Sequence, residues 1–108
     1  MTTNDDRLAT FRAMVARDPG NVLARFGLAN EAAKSGLLDE ALEHYRAYLA
    51  SYDDEGNGWA RVADLLEKLG RVDEAKDALR RGIEASHRFG HPSMRADLET
   101  KLDELDNR

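Results

Sequence analysis

A block of eight residues returns after 34 positions, and this fixes more about the chain than any other feature. Lys34-Ser35-Gly36-Leu37-Leu38-Asp39-Glu40-Ala41 realigns with Lys68-Leu69-Gly70-Arg71-Val72-Asp73-Glu74-Ala75, with identities at Lys, Gly, Asp, Glu and Ala. Upstream, Leu28 and Ala29 answer to Val62 and Ala63; downstream, Leu49 answers to Ile83. Self-similarity at a period of roughly 20–50 residues marks a chain built from one supersecondary unit set beside copies of itself.

Each part of the block has a mechanical task. Gly36 and Gly70 follow apolar-periodic segments, where a left-handed residue ends a helix at little cost. Asp39-Glu40 and Asp73-Glu74 fall in the first turn of the next helix, facing the positive end of its dipole. Ala41 and Ala75 are small enough for that helix to press against the one before it. The unit is a helix, a tight turn and a second helix. Composition agrees: Thr, Val and Ile number nine against sixteen alanines, and β-branched residues favour sheets over helices.

These positions make the chain similar to the tetratricopeptide repeat family, whose pattern is Trp, Leu-Gly and Tyr on the first helix, Ala-x3-Phe on the second, then a closing Pro. The second repeat reads Trp59-x2-Val62-Ala63-x2-Leu66 and Ala75-x3-Leu79. The first reads Arg25-x2-Leu28-Ala29-x2-Ala32 and Ala41-x3-Tyr45, and Asp18-Pro19-Gly20-Asn21 resembles the closing turn. Arg25 stands where Trp is usual, and Asp53 and His87 where Pro is common. The resemblance implies an all-α fold, a right-handed superhelical stack of antiparallel helix pairs. It also places Trp59 in the core.

Extending the lattice gives six helices, at about 4–17, 22–35, 38–52, 57–69, 72–87 and 92–106. The expected organisation is one domain over 1–108, with a flanking helix (4–21), two repeats (22–55 and 56–89) and a capping helix (90–108). Thr3 and Asp6 have capping-box spacing, while Leu8, Phe11 and Val15 share one face of the first helix. In the last helix Leu98 and Leu102 fall under Val62 and Leu66 at a shift of 36 rather than 34. That shift predicts two extra residues in the Phe89–Pro92 turn. Pro92 suits a first helical turn.

Charge and composition narrow the function. Sixteen Lys and Arg against 21 Asp and Glu leave a net charge of −5, the wrong sign for a nucleic-acid surface. No apolar run approaches a membrane span of about 20 residues, and Met1–Arg12 lacks the apolar stretch of a signal peptide. Cysteine is absent, which excludes disulfides and thiolate metal sites and fits a cytoplasmic setting. Asp53-x-Glu55-x-Asn57-Gly58 with Asp64 in twelfth place mimics a calcium loop, but the repeat register puts Trp59–Asp64 inside a helix. An acidic helix-capping loop accounts for it better. His87 and His91 are four apart, yet Gly90 and Pro92 interrupt the helix and no third ligand is evident, so they read as turn residues. Ser35, Ser51, Ser86 and Ser93 lack the neighbours that activate a nucleophile. The sequence predicts no enzyme and no cofactor.

The resemblance implies a concave groove lined by the first helix of each repeat. Leu23, Phe26, Asn30 and Lys34 form one row off the packing stripe; Asn57, Arg61, Asp64 and Lys68, with Ala60 among them, form the next. Such rows offer amide and charge-assisted hydrogen bonds to an extended peptide, plus an apolar contact at Phe26. The expected function is therefore a non-catalytic interaction module for a protein or peptide partner. A family subtype that grips chaperone C-terminal carboxylates needs Lys where this chain has Phe26, which argues against those tails. The alternative is self-assembly, with Met94, Leu98, Leu102 and Leu105, or Tyr48 and Tyr52, sealing a homodimer.

Overall fold

The computed structural model describes residues 4–108, and side chains from Asp6 onward; Thr3 and its expected capping box lie outside that range. Six helices follow one another: α1 (Asn4–Arg17), α2 (Val22–Lys34), α3 (Leu38–Ser51), α4 (Asn57–Lys68), α5 (Val72–Arg88) and α6 (Pro92–Asp106). No strand occurs among the described residues. The chain divides into two compact units at Tyr52/Asp53, α1–α3 and α4–α6.

In the first unit α2 packs on both α1 and α3. Asn21 starts α2, its side-chain oxygen accepting from the Ala24 N–H at 3.1 Å, one of the donors a helix start leaves without a partner. The core takes Leu8 and Val15 from α1, Ala24, Leu28, Ala29 and Ala32 from α2, and Ala41, Leu42, Tyr45 and Tyr48 from α3. Alanine dominates the α2 face, so α3 comes close without voids. Gly27 takes the place of a side chain under α1: a Cβ there would collide with the Phe11 ring.

In the second unit α5 packs on both α4 and α6. Its core combines Val62, Ala63, Leu65 and Leu66 with Ala75, Ala78, Leu79 and Ala85, closed by Leu98 and Leu105 of α6. Gly82 lets α5 come close to its neighbours on both sides. A Cβ on it would lie 3.0 Å from both Trp59 Cβ of α4 and Leu98 Cδ1 of α6. Trp59 is only half-buried, with the Arg81 guanidinium 5.5 Å from its ring centre. Its Cβ lies against Gly82 of α5, and the ring does not fill the core as the resemblance implied.

Three turns share one geometry. Gly36, Gly70 and Gly90 have φ of 77°, 76° and 74°, a region that side chains with a Cβ rarely enter. The following residue's N–H reaches back to the helix in each: Leu37 to Ala32, Arg71 to Leu66 and His91 to Ser86, at 2.8–2.9 Å. This is the doubly bonded glycine helix stop. The α5–α6 connection is therefore Phe89-Gly90-His91, the same three residues long as Ser35-Gly36-Leu37. The two extra residues expected in that turn are not there. The added length lies in α5, which has 17 residues against 14 in α3.

The α3–α4 connection is different. Tyr52 leaves α3 extended (φ −134°, ψ 133°), and Asp54, buried, accepts from the N–H groups of Gly56 and Gly58 at 2.8 Å each through Oδ1. The acidic loop caps α4, as its composition led us to expect. Its neighbours are tied to α5 and the turn beyond: Arg88 holds Asp53 in a two-pronged pair at 2.7 and 3.0 Å, and His91 Nε2 lies 2.9 Å from Glu55. The Arg88 guanidinium keeps the Asp53 carboxyl below the usual carboxylate range, and Asp53 in turn, with Glu84, raises the pKa of Arg88. Exposed pairs of this kind organise a loop but add little stability.

Candidate functional site

On α2 the predicted row separates into an apolar end and a polar end. Leu23, the second residue of α2, is 79% exposed, the most exposed large apolar side chain described. Phe26, three residues on and thus on the same side of the helix, is half-buried. Tyrosines from α3 back it: the Tyr48 ring centre lies 4.6 Å away and Tyr45 meets it edge-on at 5.9 Å. Tyr48 in turn stacks on Tyr52 at 5.4 Å, and Tyr52 is 48% exposed. Edge-to-face and tilted arrangements at these distances are the favoured ones for aromatic rings. The result is a cluster of four aromatic rings, with the exposed Tyr52 at one end and the exposed Leu23 one helical step from Phe26. Sequence reading offered Tyr48 and Tyr52 for a homodimer seam and missed that Tyr48 backs Phe26 and carries Tyr52 on its other side. The signal was the three-residue spacing of Tyr45 and Tyr48, which puts both on one side of α3.

The polar end is committed to internal partners. Asn30 Oδ1 accepts the Tyr45 hydroxyl proton, which satisfies a buried tyrosine. Lys34 lies 3.4 Å from Glu31, a buried carboxylate that Arg7 of α1 also approaches at 4.0 Å. A ligand that takes Asn30 has to compete with the Tyr45 hydroxyl for its side-chain oxygen.

On α4, Asn57, Arg61 and Lys68 are exposed and Asp64 is half-buried. Asp64 and Lys68 pair at 3.2 Å, one helical turn apart, and Lys101 of α6 stands 3.9 Å from Asp64. The structure thus supports this row as a solvated, partly self-paired surface in its own unit. Ala60, at the position matching Phe26, offers no aromatic counterpart.

The dimer seam expected on α6 is largely used inside the second unit. Leu98 and Leu105 are buried there, and Met94 and Leu102 are half-buried. Tyr48 is buried as well. Among the described residues no group of three or more His, Cys, Asp and Glu side chains is placed to hold a metal ion, and no helix is long and apolar enough to cross a membrane.

Residues 2–87 match the tetratricopeptide repeat family model, and the chain belongs to that family. Comparison with curated proteins finds no match. Among solved structures, the chain is similar to PcrH, crystallised in complex with the chaperone binding region of PopD. There the TM-score is 0.89 at 21% identity, over 97% of this chain and 80% of that one. It is similar also to SycD, the type III secretion translocator chaperone of Yersinia enterocolitica, at TM-score 0.86 and 18% identity over 95% and 72% of the two chains. MamA follows at TM-score 0.72 and 16% identity, over 94% and 68%. At these identities the likeness is one of fold.

Proposed function

We propose that this chain is a non-catalytic module that binds a segment of a partner protein on the α2 surface, with Leu23 and Phe26 as the apolar anchors. The observation that carries the reading is Leu23, a large side chain held almost wholly in water beside an aromatic cluster. Scattered single apolar residues are ordinary on surfaces; one exposed on the same side of a helix as an aromatic cluster matches the make-up of interface hot spots. The family supports the reading, as does the likeness to PcrH, whose structure holds a region of another protein. Asn30 and Lys34 of the same helix supply flanking polar contacts, made by exchanging their internal partners for groups of the bound segment. A cytoplasmic setting suits a chain without cysteine.

The test is selection of binding peptides from a random displayed library, followed by titration against variants. Leu23→Asp is expected to weaken binding by roughly tenfold or more, since a truncated anchor typically costs at least about 1–2 kcal/mol. Its helicity should be unchanged, because the side chain packs little. Peptides that bind the wild type and Leu23→Asp equally would refute the α2 surface.

A further inference from the structure

The first unit contains a chain of polar contacts that peptide binding does not use, running through the residue that replaces the family's Trp. Arg25 of α2 donates through Nη2 to the Pro19 carbonyl at 3.1 Å, and its Nη1 lies 3.2 Å from His44 Nδ1 of α3. A guanidinium offers only donors, so the contact is a hydrogen bond only if Nδ1 is unprotonated. The ring proton then sits on Nε2, 3.7 Å from Glu40 Oε2. Glu40 is gripped by Arg12 of α1, from Nε at 3.1 Å and Nη2 at 2.7 Å. The charged groups around the ring are thus Arg25 from α2, Glu40 and Glu43 from α3, and Arg12 from α1 acting through Glu40. The His44 side chain is 13% exposed, so few waters reach the ring.

We propose that the Arg25–His44 contact is an acid-released latch on the corner between α1 and α2. A proton added to Nδ1 sets donor against donor and cation against cation at 3.2 Å. Arg25 then has to leave, and the Pro19 carbonyl loses its donor. That carbonyl belongs to the Asp18–Asn21 corner, where the Asn21 N–H binds the Asp18 carbonyl and the Arg25 N–H binds the Asn21 carbonyl, both at 3.0 Å. Neutral His44 therefore holds the corner closed, and protonated His44 frees it.

Burial, and then the Arg25 charge, hold the His44 pKa below its ordinary value of 6.5, with Glu40 and Glu43 opposing. A group whose pKa is lowered by folding stabilises the folded form at high pH. The latch is thus complete above pH 6.5 and is lost as pH falls through the lowered value. By linkage, the fold-loss in closed latch equals ten raised to the difference between the His44 pKa with the latch open and with it closed.

The test is an NMR titration of the full chain from neutral to acid pH, following the His44 ring and the backbone amides of Asn21 and Arg25. The expected result is a His44 pKa below 6.5 with a coincident inflection at both amides. His44→Gln, uncharged throughout and still able to accept from Arg25, should abolish that inflection. A His44 pKa at or above 6.5, corner amides that ignore its titration, or an inflection that survives in His44→Gln would each overturn the latch. The wild-type titration decides the matter even where the variant folds poorly.

Discussion

At the scale of single residues, departures from the family pattern are where the structure carries most information. Arg25 stands in the Trp position, and instead of filling space it ties α2 to the Pro19 corner and to α3. The substitution was visible in the sequence. Its consequence was not, because His44 is 19 residues away and no local pattern links them. The same holds for Asn30, which read as a ligand-facing amide until Tyr45, 15 residues on, claimed its oxygen. Glu40 was legible as a first-turn carboxylate but not as the partner of Arg12. That pair makes a pH-dependent prediction. The Arg12 hydrogen bonds hold the Glu40 pKa below its ordinary value of 4.5, so the pair stabilises the fold above pH 4.5. The contribution should fade as pH falls through the lowered value. A double-mutant cycle with Arg12→Ala and Glu40→Ala should give a coupling of about 0.5–1 kcal/mol at neutral pH, vanishing in strong acid. A coupling that persists below the Glu40 pKa would contradict the assignment.

At the scale of elements, helix boundaries were legible to within about a residue, because caps, glycine stops and acidic first turns are local signals. What was misplaced is the added length before α6, which lies in α5 and not in the turn. After α3 the chain crosses to α4 through the Asp54 loop; after α5 it reuses the glycine stop of the turns at Gly36 and Gly70. A period counted in residues cannot tell which connection follows a helix, but Gly90 placed right after Phe89 could have. Close approaches were equally hidden, since a glycine inside a helix reads as a weak former until its neighbours are known. Gly82 tests this. Alanine is the better helix residue by about 1 kcal/mol, yet its Cβ would press on Trp59 Cβ and Leu98, an overpacking cost of about 1–3 kcal/mol. Gly82→Ala should therefore be neutral to destabilising by about 2 kcal/mol in urea unfolding. A clear gain in stability would mean that α5 does not approach α4 and α6 that closely at Gly82.

At the scale of the molecule, the repeat made the fold legible and left the site half-read. Repetition specifies which positions are buried, and Leu28 and Leu66, predicted on the packing stripe, are both about 2% exposed. Leu28→Ala should cost about 2–5 kcal/mol by opening a cavity, a large share of the roughly 5–15 kcal/mol that holds such a protein folded. A loss below about 0.5 kcal/mol, the range of surface changes, would contradict the packing. Repetition says nothing about surfaces that differ between copies, and the proposed site lies where they differ: Phe26 with its tyrosines in one unit, Ala60 in the other. The central claim is that a partner segment seats on Leu23 and Phe26. The most direct measurement is the map of amide chemical-shift changes in the isotopically labelled chain on titration with a library-selected peptide. The account predicts the largest changes at Leu23, Phe26 and Tyr52; changes centred on α6 instead, with these three residues silent, would contradict it.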